Sequence, residues 1–170
     1  MALDKAVEAG RPLRAVLGRY ATGVAVVTTR YRGHPAGVTV NSFTSVSLEP
    51  PLVLWCLQQS STSRAAFTGG AHFAVNLLAA DQRDLAVRFA GPGDRFAGLN
   101  SDEGRYGIPL LDGAVATLVC RREQVLPVGD HLVLIGRVLE HWTTSGAPLL
   151  FVDGGFHAGP DGSSNSVTRC

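Results

Sequence analysis

Charge is what this sequence has least of. Lys, Arg, Asp and Glu make up 17% of its 170 residues, against about a quarter in ordinary soluble domains. So small a charged fraction leaves apolar surface for a second copy of the chain to cover, and a homodimer is expected. The formal net charge of +1 removes the electrostatic case for nucleic acid or an anionic membrane as partner. Cysteine is scarce as well. Cys56, Cys120 and Cys170 are odd in number and far apart, which excludes a disulfide framework and a C-x-x-C pair. No stretch approaches the ~18 apolar residues of a membrane helix, and residues 1–20 lack the apolar centre of a signal peptide. A cytoplasmic, reduced protein is expected.

The familiar nucleotide and hydrolase motifs are also missing. The Gly91-Pro92-Gly93 stretch has Phe96 where the third glycine of G-x-G-x-x-G would fall. There is no Walker loop, no H-E-x-x-H and no G-x-S-x-G. The histidines, His34, His72, His131, His141 and His157, have no ligand spacing, so no metal centre is expected. If the chain handles a nucleotide, it does so without a Rossmann unit.

What is present is a succession of short β patterns. Pro12 suits the first turn of a helix, and Leu13, Val16, Leu17 and Tyr20 recur at helical spacing. From Gly23 to Thr29 both faces are apolar, which predicts a central strand. From Ala36 to Ser42 a strand puts Val38 and Val40 on one face and Thr39 and Asn41 on the other. After Pro50-Pro51, Leu52–Leu57 reads as an apolar strand, and Ser61 or Thr62 is placed to cap a short helix ending near Gly69-Gly70. His72–Leu78 is another strand, Asp81 is placed to cap a helix carrying Leu85 and Phe89, and residues 91–100 form a Gly-rich loop. Ala114–Leu126 and His131–Trp142 are two long strands around a Val128-Gly129-Asp130 turn, and Leu149–Val152 is a last short one. About six or seven strands and three short helices without βαβ alternation predict a mostly antiparallel β-barrel with peripheral helices. One domain over residues 1–159 is expected, with 160–170 a frayed tail.

Two clusters carry candidate chemistry. Thr39-Val40-Asn41-Ser42-Phe43, with Thr44 and Ser45 following, combines a strand edge with an amide and hydroxyls, which matches the alternating donors and acceptors of a flavin rim. The same run also reads as an ordinary strand with a polar outer face. Ser60-Ser61-Thr62-Ser63-Arg64 offers hydroxyls and a guanidinium at a helix start, suited to a phosphate, or simply a capped helix. His131 follows Gly129-Asp130 at a strand start, placed to bond a nicotinamide or to sit idle at the surface. Arg88, Phe89, Arg95 and Phe96 are positioned to form a lid over a ring, or a core contact plus a solvated loop. Cys56, inside an apolar run, reads as a small buried hydrophobe.

Taken together, YATGVAVVTT, GVTVNSFTSVSLEPPLVLWCL, SSTSRAAF, FAVNLLAADQRDLAVRFA, DRFAGL, GIPLLDGAVATLVC and GDHLVLIGRVLEHW resemble the short-chain flavin reductases that supply reduced flavin to two-component monooxygenases. The resemblance runs in order over roughly residues 13–156. It implies an FMN-binding split β-barrel, a homodimer, and reduction of diffusible FAD (or FMN) by NADH (or NADPH), with a flavin-dependent monooxygenase as receiving partner. By position it places Thr39, Val40, Asn41, Ser42 and Phe43 about the isoalloxazine, and Ser45 and Cys56 are expected among the cofactor-binding residues. It places Ser60, Ser61, Thr62 and Ser63 at the phosphate and His131 at the nicotinamide, and Arg88, Phe89 and Phe96 of the candidate lid are expected among the cofactor-binding residues. Phe151 and Phe156 stand where the family often has a tyrosine. Other split-barrel proteins keep their flavin and oxidise an organic substrate, or bind flavin without catalysis.

Overall fold

The computed structural model describes residues 12–99, 101–104 and 106–161. A helical stretch, α1 (12–18), leads into the two-residue strand β1 (Thr22–Gly23). Then follow β2 (Ala25–Tyr31), β3 (His34–Val40), β4 (Thr44–Leu48), β5 (Pro51–Gln58), α2 (Arg64–Gly69), β6 (His72–Leu77) and α3 (Arg83–Ala90). The second half holds β7 (Ser101–Glu103), β8 (Pro109–Leu111), β9 (Ala116–Val128), β10 (His131–Thr143), β11 (Leu149–Val152) and β12 (Gly155–Ala158). No helix among the described residues is long and apolar enough to cross a membrane.

Seven strands form one antiparallel sheet in the order β3-β2-β6-β9-β10-β5-β4. The sheet curls until its β3 edge comes up against β5. That closure is not a ladder. Beyond the end of β4, the Ser42 hydroxyl accepts a hydrogen bond from the Cys56 N–H (2.9 Å) and donates to the Cys56 carbonyl (3.3 Å). One side chain therefore stands in for a strand pair at the seam, and the barrel is split there.

The apolar run at β2 explains its central place. Its alternate residues face opposite ways, so Ala25 and Val27 enter the barrel core with Trp55, Phe67, Phe73 and Leu134. Val24, just before the strand, and Val26 enter a second core with Leu78, Ala86, Phe89 and Leu149 beneath α3 and the small β1-β11-β12 sheet. A buried polar clamp links β8 to the barrel. Asn76 donates to the Val26 carbonyl (3.0 Å) and accepts the Leu111 N–H (3.1 Å), while Thr28 donates to the Pro109 carbonyl (2.6 Å). A buried polar group without such partners would cost about 1–3 kcal/mol.

Several elements differ from expectation. β3 stops at Val40, so Asn41 and Ser42 lie in a bend rather than a strand, which frees Ser42 to cross the seam. The helix caps are Ser63 and Gln82, not Ser61 or Thr62 and Asp81. Gln82 makes no capping bond with its side chain, whose amide instead accepts the Ala79 N–H (3.0 Å) and donates to the Asp112 carbonyl (2.7 Å). Strands β1, β4, β7, β8 and β12 were not anticipated; β1, β7 and β8 are only two or three residues long, too short to show a period. Phe151 and Phe156 pack edge to face across β11 and β12, with centroids 5.3 Å apart. Most of the expected tail, 162–170, lies outside the described residues.

Candidate functional site

The split in the barrel opens into a groove with two adjoining lobes. The first, of about 400 Å³, runs along Val38–Ser42 past Cys56, Leu57 and Gln58 to His131, and touches Ser61, Thr62, Ala90 and Arg95. The second, of about 410 Å³, lies between Pro35–Gly37 and the Gly91–Phe96 loop, and shares Thr62, Ala90 and Arg95 with the first. Both volumes fall in the range of sites that hold small ligands.

β3 is the edge strand of the sheet. Alternate residues of an edge strand turn their backbone N–H and C=O groups away from their single neighbour, and here that free edge is a groove wall. The hydroxyls anticipated as ring contacts are engaged elsewhere: Thr39 donates to the Ala86 carbonyl of α3 (2.7 Å), and Ser42 holds the seam. The exposed Asn41 amide has no partner among the described residues. A flat polar ring on this wall would meet β3 backbone and the Asn41 amide.

His131 opens β10 directly across from Gln58 of β5. The two-residue Gly129-Asp130 turn needs a left-handed residue, supplied by Gly129 at φ +59°. Gln59 pins this turn, its backbone N–H donating to the Asp130 carbonyl and its amide to the Gly129 carbonyl, both at 2.9 Å. The His131 Nδ1 lies 2.7 Å from the Asp130 carboxylate. That hydrogen bond, the largest of several effects, holds the Asp130 carboxyl below its ordinary range. An ionised carboxylate only accepts, so the proton of a neutral His131 sits on Nδ1 and Nε2 is left as an acceptor.

At the phosphate-suited end, Ser61 Oγ accepts the Ser63 N–H (3.2 Å), and Ser63, though at the cap position, makes no capping bond. Its hydroxyl instead accepts from Arg95 (3.2 Å). The guanidinium at this end is therefore that of Arg95; Arg64 is exposed on α2 and lines neither lobe. Arg95 sits in the loop run Gly93-Asp94-Arg95-Phe96, where sequence spacing pointed only to a lid.

Of the anticipated residues, Thr39, Val40, Asn41, Ser42, Cys56, Ser61, Thr62 and His131 line the first lobe, and Ser63 and Phe96 the second. Phe43, Ser45, Ser60, Arg88 and Phe89 line neither. Phe43 packs on the barrel core, while Ser45 and Ser60 point to solvent. Phe89 is fully buried with its ring 5.0 Å from Phe96, and Arg88 bonds the Ala97 carbonyl, so these two are the footing of the Gly-rich loop rather than a lid. Cys56 is half-buried in the groove wall, whereas Cys120 is the cysteine fully buried, with burial pushing its thiol up to about 12. Gln58, Ala90 and the Pro35–Gly37 segment were missed; nothing local marks them, because α3 and the loop after it meet β3 only in the fold.

Residues 17–160 match the family described as flavin reductase like domain. The chain belongs to that family. FMN reductase (NADH) SmoA of Agrobacterium fabrum is 43% identical over 149 residues, covering 88% of this chain and 86% of that one. The reductase component of the flavin-dependent trigonelline monooxygenase of Acinetobacter baylyi is also 43% identical, over 95% of this chain but 53% of its own longer one. Among solved structures, the nitrilotriacetate monooxygenase component B homologue from Mycobacterium thermoresistibile superposes with a TM-score of 0.88 at 34% identity, over 98% and 94% of the two chains. The NADH:FAD oxidoreductase SgcE6 of Streptomyces globisporus, in complex with NAD and FAD fragments, gives 0.83 at 37% identity over 89% and 93%. The groove at the barrel split is thus the family's fold carrying an exposed strand edge, a histidine and an arginine on shared walls.

Proposed function

We propose that this protein is an NADH-dependent reductase of diffusible flavin, FAD in the first place and FMN as the alternative, and that it supplies reduced flavin to a partner monooxygenase. One observation carries the reading. The unpaired β3 edge, His131 and the partly unpartnered Arg95 line one open groove at the split of the barrel. These residues fit the group they would hold: backbone and Asn41 for the polar rim of a flavin, Arg95 and the Ser61–Ser63 hydroxyls for its phosphate, His131 Nε2 for a nicotinamide carboxamide. When bound, the two cofactors supply hydride transfer from nicotinamide C4 to flavin N5. This chain's residues bind, orient and bring the two rings together.

The names of relatives, a reductase subunit of a flavin-dependent monooxygenase in Rhodococcus jostii among them, support the oxygenase as recipient. A homodimer is supported by α1 and the turn after it, where Leu13, Val16, Leu17 and Tyr20 are 59–76% exposed; such an apolar stripe is normally covered. Free Cys56 and Cys120 suit a reducing cytoplasm.

The test is NADH oxidation at catalytic enzyme with flavin in excess. Turnover should require added flavin, and His131→Ala should lower kcat/KM for NADH by about 1–2 kcal/mol, the value of one oriented hydrogen bond, with flavin KM nearly unchanged. Full turnover without added flavin would favour a protein that keeps its flavin. No NADH consumption at all would leave a flavin-binding protein without reductase activity.

A further inference from the structure

Gln58 and Gln59 are consecutive, yet the fold gives them opposite tasks. Gln59 spends its amide on the β9–β10 hairpin, donating to the Gly129 carbonyl (2.9 Å) and, at 3.5 Å, to the His131 carbonyl. Gln58, the last residue of β5, is exposed in the first lobe of the groove, and its amide has no partner among the described residues. Its backbone, by contrast, is fixed. The Gln58 carbonyl accepts the Ser61 N–H (3.0 Å), and the residue stands directly opposite His131 in the β5–β10 ladder. Opposed residues of an antiparallel pair carry their side chains on one face, with Cβ atoms about 4.5–5.5 Å apart. Here that face is the groove, which Gln58, His131 and Cys56 all line, while Trp55 and Leu57 enter the barrel core.

The two side chains offer opposite halves of a hydrogen-bonding pattern. The Asp130 carboxylate takes the Nδ1 proton of a neutral His131 and leaves Nε2 as an acceptor. The Gln58 amide brings two N–H donors to the same face. A primary carboxamide is the complement of that pair, because one carbon carries both an NH2 donor and a C=O acceptor. A carboxylate in its place has two acceptors and no donor, so the Nε2 lone pair repels it. A methyl ketone keeps the acceptor and loses the donor. The hydroxyls nearby are engaged elsewhere, Thr39 with α3 and Ser42 with the seam. The free Asn41 amide follows β3 on the other wall, whereas Gln58 is the groove-lining residue paired with His131.

We infer that Gln58 is a specificity-determining residue for the hydride donor. Its amide N–H donates to the carboxamide oxygen of the reduced nicotinamide while His131 Nε2 accepts a carboxamide N–H. The pair reads the carboxamide from both sides and fixes the rotation of the ring in its own plane, which one contact alone cannot do. This rests on the reductase reading of the groove.

The experiment measures kcat/KM at saturating flavin for wild type, Gln58→Ala, Gln58→Glu and His131→Ala with three hydride donors. These are NADH, its thionicotinamide analogue, which keeps the NH2 but offers sulfur as a weak acceptor, and its acetylpyridine analogue, which keeps the C=O but has no N–H. The donors' different reactivities cancel when each variant is divided by wild type on the same donor. Gln58→Ala should lose about three- to tenfold with NADH and with the acetylpyridine analogue, the worth of one neutral hydrogen bond, and less than about twofold with the thionicotinamide analogue. His131→Ala should show the crossed pattern, its loss falling on NADH and the thionicotinamide analogue. Gln58→Glu sets a carboxylate against the carbonyl oxygen and should lose more with NADH than Gln58→Ala does. Flavin KM should stay within about twofold of wild type in both Gln58 variants. Thermal melting without ligand should not move in Gln58→Ala, because the side chain has no hydrogen bond to lose. An equal loss with all three donors would overturn the inference, as would unchanged NADH kinetics in Gln58→Ala. A rise in flavin KM with donor kinetics intact would assign Gln58 to the flavin, overturning the inference and leaving the reductase reading in place. If wild type oxidises no NADH with FAD or FMN, both fall.

Discussion

Ser42→Ala tests the seam of the barrel more directly than any other change. The hydroxyl makes two bonds to the backbone of one residue, accepting from the Cys56 N–H at 2.9 Å and donating to its carbonyl at 3.3 Å. Removing it leaves both backbone groups unpartnered at a point where β4 no longer pairs with β5. A net hydrogen bond contributes about 0.5–1.5 kcal/mol, and an orphaned buried group costs about 1–3 kcal/mol. The longer bond counts for less, and the half-buried seam lets water replace part of what is lost. The sum expected is about 1–3 kcal/mol. For a chain of this size that corresponds to a fall in Tm of very roughly 2–10 °C, read at fixed protein concentration so that any self-association contributes equally to both variants. The assay is urea and thermal unfolding without flavin, followed by flavin titration. Stability should drop, and flavin affinity should drop with it for riboflavin, FMN and FAD alike, because the wall that meets the ring has loosened. Unchanged stability with weakened flavin binding would refute the reasoning and return Ser42 to direct contact with the ring.

Two further outcomes follow from the titrating groups. Alkylation of the native protein at neutral pH, mapped by peptide mass, should label the groove-lining Cys56 and spare Cys120, whose buried thiol is pushed up to about 12; saturating flavin should protect Cys56, and labelling of Cys120 before unfolding would contradict its burial. Glu123 accepts hydrogen bonds from Arg121 (2.7 Å) and Arg137 (2.9 Å), which hold its carboxyl below the usual range. A folded-state value below the unfolded one stabilises the fold above the unfolded value, and that contribution disappears as pH falls through the folded value. The Tm gap between wild type and Glu123→Gln should therefore be present at neutral pH and close in acid; a gap that widens in acid would show that the pairing is not what lowers the group.

Much of the barrel was legible along the chain, because its signals are local. The doubly apolar run at β2 can be satisfied only between two cores, and Ala25 and Val27 on one side and Val24 and Val26 on the other occupy both. Gly129-Asp130 between two long apolar runs marks a hairpin, and it is the turn that places His131 across from Gln58. The small hydroxyl and amide residues from Thr39 to Ser63 were expected to stand together, and most of them line the groove. Their individual tasks were not legible. A hydroxyl's partner is decided by what the fold brings within about 3 Å, so Thr39 serves α3, Ser42 the seam and Ser63 Arg95. The cation was misplaced for the same reason. Arg64 is adjacent to the hydroxyl run in sequence but turns to solvent, while Arg95, 32 residues beyond Ser63, is carried back to it by the packing of Phe89 and Phe96 under Gly37. Periodicity and turn chemistry, which act over a few residues, determined the strands and where the polar walls lie. Which atoms face the groove was decided only when non-local packing closed the sheet on itself.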